Sequence, residues 1–199
     1  MKVLILHGYQ NNSKILFYQS KLLRSILKYN FTIPNAPNVS CGKPKNINTK
    51  FFKSPYFHWY GTNLNDLDNS ITYISSLGPF DGIIGFSQGS AMSLYMFDII
   101  KPKFFISIVG VNPNSNPNKS YNIPYNLIEK NTINKIKSYN IPSYHLIGIN
   151  DPNKIKSLKL LDMFENPKVS YFNGGHEFPS IKDKNEYIKC NKFLKELNI

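Results

Sequence analysis

Six short apolar runs, each followed by a segment whose apolar residues fall at helical spacing, constrain the fold of this chain more than any other feature. The runs are Lys2–Leu6, 31–33, Gly82–Phe86, 104–109, 143–149 and Lys168–Phe172. Gly82–Phe86 is apolar throughout, and a run of that kind, rather than an alternating one, suits a strand covered on both faces. Strand and helix in strict alternation predict an α/β fold: a mostly parallel sheet of about six strands, flanked by helices on both faces. Ligands in such sheets bind beyond the carboxyl ends of the strands, so chemistry is expected just after each run.

The helical segments follow from apolar spacing and stop signals. Ser13 is expected to cap a helix over 14–28 whose apolar face carries Leu16, Leu22, Leu23, Ile26 and Leu27. Leu64, Leu67, Ile71 and Ile74 mark a second helix, closed by Leu77-Gly78-Pro79. Gln88–Ile100 has no internal Gly or Pro and ends before Pro102. A short helix over 132–139, one over 154–164 and a closing one over 184–197 complete the set, the last with Tyr187, Cys190, Leu194 and Leu197 on one face. Residues 38–61 form a polar, proline- and aromatic-rich excursion, and 112–126 an Asn/Pro-rich loop. With no internal repeat or linker, residues 1–199 read as one domain, long enough to hide roughly 70% of its unfolded surface.

Composition narrows the function classes. The 24 Lys and Arg against 12 Asp and Glu give a net charge of +12, which would ordinarily suggest nucleic acid. Arg24 is the single arginine, however, and the lysines are scattered. Arginine is the residue suited to bidentate reading of bases and phosphates. Asn (26) and Ile (24) are over-used together with Lys, the pattern of an AT-rich coding sequence. No nucleic-acid partner is therefore expected. Two cysteines exclude a disulfide scaffold. Cys190 reads as core, and Cys41 lies in a loop with no motif. No apolar run reaches the roughly 20 residues of a membrane span. The apolar start, Val3 to Leu6, is shorter than a secretory h-region, so a cytoplasmic location is expected.

Gly85-Phe86-Ser87-Gln88-Gly89 is a G-x-S-x-G motif lying between an apolar run and a helix, the setting of a nucleophile elbow. The serine sits on a tight turn, and the flanking glycines leave room where strand and helix cross. The alternative reading of the motif is a glycine-bordered strand-to-helix turn whose serine merely caps the helix. A serine nucleophile needs a base, and the base an orienting anion, in the order Ser, Asp or Glu, His for this architecture. Asp151 follows the run 143–149, and His176 follows Lys168–Phe172 in Asn173-Gly174-Gly175-His176. Both fall at the sheet edge that carries Ser87. Among rivals, His145 lies inside a strand, while His7 and His58 precede the serine. Asp162 lies in a helix, Asp183 beyond the last strand, and Asp81 at a turn that it caps or anchors.

An oxyanion hole needs two backbone N–H groups. Gln88, the first residue of the helix, supplies one, and Tyr9, in the His7-Gly8-Tyr9-Gln10 loop after the first strand, the other. Phe57, Trp59 and Tyr60 are candidates to line an acyl pocket or, equally, to fill core. No His/Cys cluster has zinc spacing and no glycine-rich phosphate loop is present.

Leu6-His7-Gly8-Tyr9, Phe57-His58-Trp59-Tyr60, the run from Gly78-Pro79-Phe80-Asp81 to Gly89, and Gly174-Gly175-His176 occur in an order that resembles the FSH group of serine hydrolases, small α/β-hydrolases of fungi and animals. The resemblance runs from the first strand to the last. It implies an α/β-hydrolase fold, no cofactor, and hydrolysis of a small-molecule acyl ester through Ser87, Asp151 and His176 by way of an acyl-enzyme. The Asn/Pro tract at 112–126 departs from the family pattern, which leaves the lid open. An acyl-protein or acyl-CoA thioesterase would use the same groups, and a binding protein on this fold would be expected to have lost one of them.

Overall fold

The computed structural model describes residues 1–44, 47–61, 63, 65–113 and 138–199. Eight strands and six α-helices are described. The strands are β1 (Lys2–Leu6), β2 (Asn30–Thr32), β3 (Asn38–Ser40), β4 (Tyr56–His58), β5 (Gly82–Phe86), β6 (Phe104–Ile108), β7 (Ser143–Gly148) and β8 (Lys168–Phe172). The helices are α1 (Ser13–Gln19), α2 (Lys21–Leu27), α3 (Asp66–Ser76), α4 (Gln88–Ile100), α5 (Lys154–Leu161) and α6 (Lys184–Glu196). Most of the expected helix at 132–139 and most of the loop at 112–126 lie outside the described residues; Tyr139, at the expected end of that helix, instead forms a bridge with Phe164.

Six strands form one sheet in the order β2-β1-β5-β6-β7-β8, every neighbouring pair parallel. The chain steps outward from β1 to β2, then returns to the other side of β1 as β5. The order therefore reverses between β1 and β5, and the carboxyl ends of those two strands flank the crevice where α/β sheets take ligands. This is the α/β arrangement expected from the apolar runs.

The apolar runs stand between two cores. Val3 and Ile5 point to one face with Leu16, Leu23, Phe104, Tyr187, Cys190 and Leu194, under α1, α2 and α6. Leu4 and Leu6 point to the other with Trp59, Leu67, Ile74, Met92 and Met96, under α3 and α4. The two-residue period of a strand explains the split. Cys190 is fully buried, as its place on the apolar helix face suggested, and Cys41 is exposed. Asp81 anchors a turn: its carboxylate accepts from the Lys2 N–H at 2.9 Å and pairs with Lys103 at 2.9 Å. Among the described residues no helix is long and apolar enough to cross a membrane.

Two expectations are corrected. The helix over 14–28 is two helices, broken at Ser20, and its cap is Asn12 rather than Ser13. The Asn12 side chain accepts from the Ile15 N–H at 3.0 Å. The excursion 38–61 contains a small antiparallel sheet, Asn38 opposite His58 and Ser40 opposite Tyr56. Its strands have three residues each, too short for an alternation to be read.

His145 lies inside β7, as expected of a core histidine, edge-on to Phe105 and Phe164. Burial lowers its pKa to about 3, and that of the equally buried His7 to about 4. In the unfolded chain both titrate near 6.5. Between that value and the folded pKa the unfolded state binds more protons, so stability falls as pH drops through this window. For His7 the full loss is about 3 kcal/mol. Urea midpoints should decline between about pH 7 and about pH 4.5, and less steeply in His145→Leu, which keeps volume but takes no proton. Equal slopes for variant and parent would remove His145 as a source.

Candidate active site

The loop after β5 carries Ser87 at φ +52°, ψ −115°, a conformation few non-glycine residues adopt. Its N–H donates to the Ile108 carbonyl at 3.1 Å, tying the turn to β6. The glycines around it are explained by crowding. A Cβ on Gly85 would strike the backbone of Ser90, and one on Gly89 the carbonyl oxygen of Leu6 in β1. Ser90 Oγ donates to the Gly85 carbonyl at 2.7 Å, closing the turn from within. Gly89→Ala is expected to destabilise by about 1–3 kcal/mol, because its neighbour is backbone and cannot rotate away. A thermal melt checks this; an unchanged midpoint would show that β1 and α4 are free to separate.

Asp151 follows β7 and His176 follows β8. Their loops run close together: Asn150 N–H donates to the Gly174 carbonyl at 3.0 Å, and a Cβ on Gly148 would collide with the Gly175 carbonyl. The Asp151 side chain is fully buried. Its Oδ1 accepts from the Asn153 N–H at 2.7 Å, which leaves Oδ2 for His176 Nδ1 at 2.8 Å. His176 Nε2 lies 2.7 Å from Ser87 Oγ. With a carboxylate on Nδ1, that nitrogen carries the proton and Nε2 faces the serine hydroxyl as acceptor. The His176 ring rests near Phe86, which stacks on Phe178 at 4.8 Å. The structure thus brings together Ser87, Asp151 and His176 from three separate loops. Among the described residues no group of three His, Cys, Asp or Glu could hold a metal ion.

Gln88 and the Tyr9 loop also converge on Ser87. Gln88 is the first residue of α4, whose leading N–H groups have no partner within the helix. Its side chain is a brace: Oε1 accepts from the Trp59 N–H at 3.1 Å and Nε2 donates to the Tyr60 carbonyl at 2.7 Å. A Cβ on Gly8 would lie 3.0 Å from Phe86 Cδ1 and 3.4 Å from Ser87 Cβ, so the loop bearing Tyr9 passes directly over the elbow. His7 holds that loop from below. Its Nδ1 meets the Gly8 carbonyl at 2.7 Å and its Nε2 accepts from the Ala36 N–H at 2.9 Å. Each ring nitrogen is thereby occupied, and His7 is a structural histidine.

The aromatic group divides. Trp59 is fully buried, and its indole N–H donates to the His7 carbonyl at 2.8 Å. It fills core, one of the two roles expected of it. Phe57 and Tyr60 are half-buried against the same core. Phe57 exchanges backbone hydrogen bonds with Asn11, and Tyr60 packs edge-on to Tyr95.

One polar cluster escaped the sequence. His58 pairs with the buried Asp66 at 2.9 Å, and its ring lies 5.8 Å from that of Tyr9. Asn38 Nδ2 contacts the Trp59 carbonyl at 3.0 Å, the Asp66 carbonyl at 2.9 Å and Ser70 Oγ at 3.2 Å. These groups fasten the excursion to α3. They come from positions far apart in the chain, so no spacing signals them.

Comparison with known proteins gives the family and the fold. A family model described as serine hydrolase (FSH1) matches residues 1–188. Esterase OVCA2 of Xenopus tropicalis is 27% identical over 213 residues, covering 90% of this chain and 86% of that protein. Esterase FPY3 of Fusarium mangiferae is 32% identical over 108 residues, but the match spans 47% of this chain and 46% of the relative. Among solved structures, esterase PE8 has a TM-score of 0.64 at 20% identity, over 98% of this chain and 92% of that one. A monoacylglycerol lipase of Paleococcus ferrophilus has a TM-score of 0.62 at 12% identity, over 98% and 94%. At such identities these structures speak for the shared α/β-hydrolase fold.

Proposed function

We propose, given that the chain belongs to the serine hydrolase (FSH1) family, that it hydrolyses carboxylic esters of small molecules through Ser87, His176 and Asp151. The observation that carries this reading is the unbroken hydrogen-bonded line from Ser87 Oγ through the His176 ring to Asp151 Oδ2, at 2.7 and 2.8 Å. Both lengths are within reach for proton transfer.

Ser87 Oγ attacks the acyl carbonyl while its proton passes to His176 Nε2. Asp151 holds Nδ1–H and stabilises the imidazolium as it forms. The carbonyl oxygen becomes an anion held by the backbone N–H groups of Gln88 and Tyr9, each worth roughly 3 kcal/mol in comparable sites. Collapse expels the alcohol, which takes the proton from Nε2, and leaves the acyl group on Ser87. Water, deprotonated by the same nitrogen, then releases the acid. Phe57 and Tyr60 remain candidates to contact the acyl chain. The name esterase on OVCA2 and FPY3 supports an ester rather than an amide substrate.

Intact-mass spectrometry after exposure to a fluorophosphonate tests the reading. Stoichiometric labelling that maps to Ser87 and disappears in Ser87→Ala is expected. Absence of labelling in folded protein would overturn it.

A further inference from the structure

The cations are scattered along the chain but the acids are not, so the net charge is uneven. Residues 1–65 hold nine of the 24 Lys and Arg and none of the 12 Asp and Glu, so three quarters of the net charge comes from the first third of the sequence. That third also carries the outward aromatic residues of α1 and the loop facing it. Phe17 is 56% exposed, Tyr18 68% and Phe51 81%. Ile15 and Leu16 of the same helix are buried, so α1 has an inner aliphatic face and an outer aromatic one.

These side chains bound a continuous surface. A groove of about 560 Å³ runs between Ile15, Tyr18 and Gln19 on one side and Ile47, Phe51 and Phe52 on the other. Tyr18 also walls an adjoining depression of about 590 Å³ with Phe17, Lys21, Arg24 and Phe31. The Arg24 guanidinium lies 3.7 Å over the Phe17 ring. At the other end of α1, Lys14 and Lys53 line a smaller cleft of about 210 Å³. Neither apolar depression is lined by Ser87, Asp151 or His176.

We propose that this face docks on an anionic phospholipid bilayer. Exposed aromatic rings on a short helix, with cations at their edge and no acid among the residues lining the depressions, match the way interfacial helices enter the headgroup layer. The aromatics supply apolar area, and each lysine close to an anionic surface adds about fivefold to partitioning. A single-stranded nucleic acid would also meet rings and cations. The cations here are lysines but for Arg24, and the groove between α1 and the facing loop carries Ile15 and Ile47 beside its rings, which suits acyl chains better than bases. The proposal does not rest on the hydrolytic reading, and hydrolysis of a soluble ester serves as its control for folding.

The test is cosedimentation of the full chain with vesicles of phosphatidylcholine alone and of phosphatidylcholine with phosphatidylserine, at low and high salt. Binding to the anionic vesicles only, weakened by salt, is expected. Tyr18→Ser with Phe51→Ser should lower partitioning by about tenfold or more. Lys14→Gln, Lys21→Gln, Lys50→Gln and Lys53→Gln together should lower it by about a hundredfold or more. Lys192→Gln with Lys195→Gln, on α6, should leave it unchanged. All variants should keep the parental melting temperature and soluble-ester rate. The proposal is overturned by no binding to anionic vesicles, by binding indifferent to the aromatic pair, by equal losses from the α6 pair, or by tighter binding to a single-stranded RNA oligomer than to vesicles.

Discussion

Replacing Ser87 by alanine is expected to lower kcat for a carboxylic ester by about a millionfold, the scale seen when one member of a Ser-His-Asp unit is removed. The size follows from the geometry. His176 Nε2 is aimed at Ser87 Oγ, and the next hydroxyl along the chain, Ser90, is turned away to bond the Gly85 carbonyl. His176→Ala should cost about as much, and the double variant no more, since base and nucleophile act as one device. KM should change little, because the deletion removes a reacting atom and not a binding surface. The check is turnover of an activated ester by purified variants against the buffer rate. A Ser87→Ala enzyme within tenfold of the parent would place the nucleophile elsewhere.

Asp151→Asn is expected to cost about ten-thousandfold in kcat. A carboxamide can still receive the Asn153 N–H through its oxygen, so the turn that opens α5 should survive. Its NH₂ group then faces the imidazole and donates where the carboxylate accepted. The ring answers by placing its proton on Nε2, the nitrogen that must be free to take the serine proton. Unchanged melting together with the kinetic loss is the expected pair of results. A loss below about a hundredfold would move the anion's role to another residue.

Much of this arrangement was legible before any coordinates, because burial and chain order leave marks in the sequence. Gly82–Phe86 and Gln88–Ile100 fall where apolar continuity and absence of breakers put them. Asp151 and His176 were expected beside Ser87 because strand ends in a parallel sheet share one edge, and both side chains do meet there. What was hidden depends on long-range packing. Asn12 and Ser13 are both competent caps, and only the local backbone decides between them. The break at Ser20 has no glycine or proline to announce it. Trp59 is as apt for a pocket wall as for a core, and its place within the core rests on a bond to the His7 carbonyl that no local pattern announces. The contacts of Asn38 with Trp59 and with Asp66 and Ser70 of α3 join three stretches whose encounter no local pattern encodes.

His176 lies just past β8, and among the described residues β8 is the last strand of the sheet, with one neighbour, β7, and alternate side chains open to solvent. Edge elements open at lower free-energy cost than central ones. The serine, by contrast, hangs from β5 in the middle. Warming or mild denaturant should therefore disarm the molecule from its margin inward: His176 leaves its partners while the elbow and both cores persist. Inactivation would then precede melting, and the lifetime of the working enzyme would be set by how firmly one outer strand holds rather than by the stability of the whole.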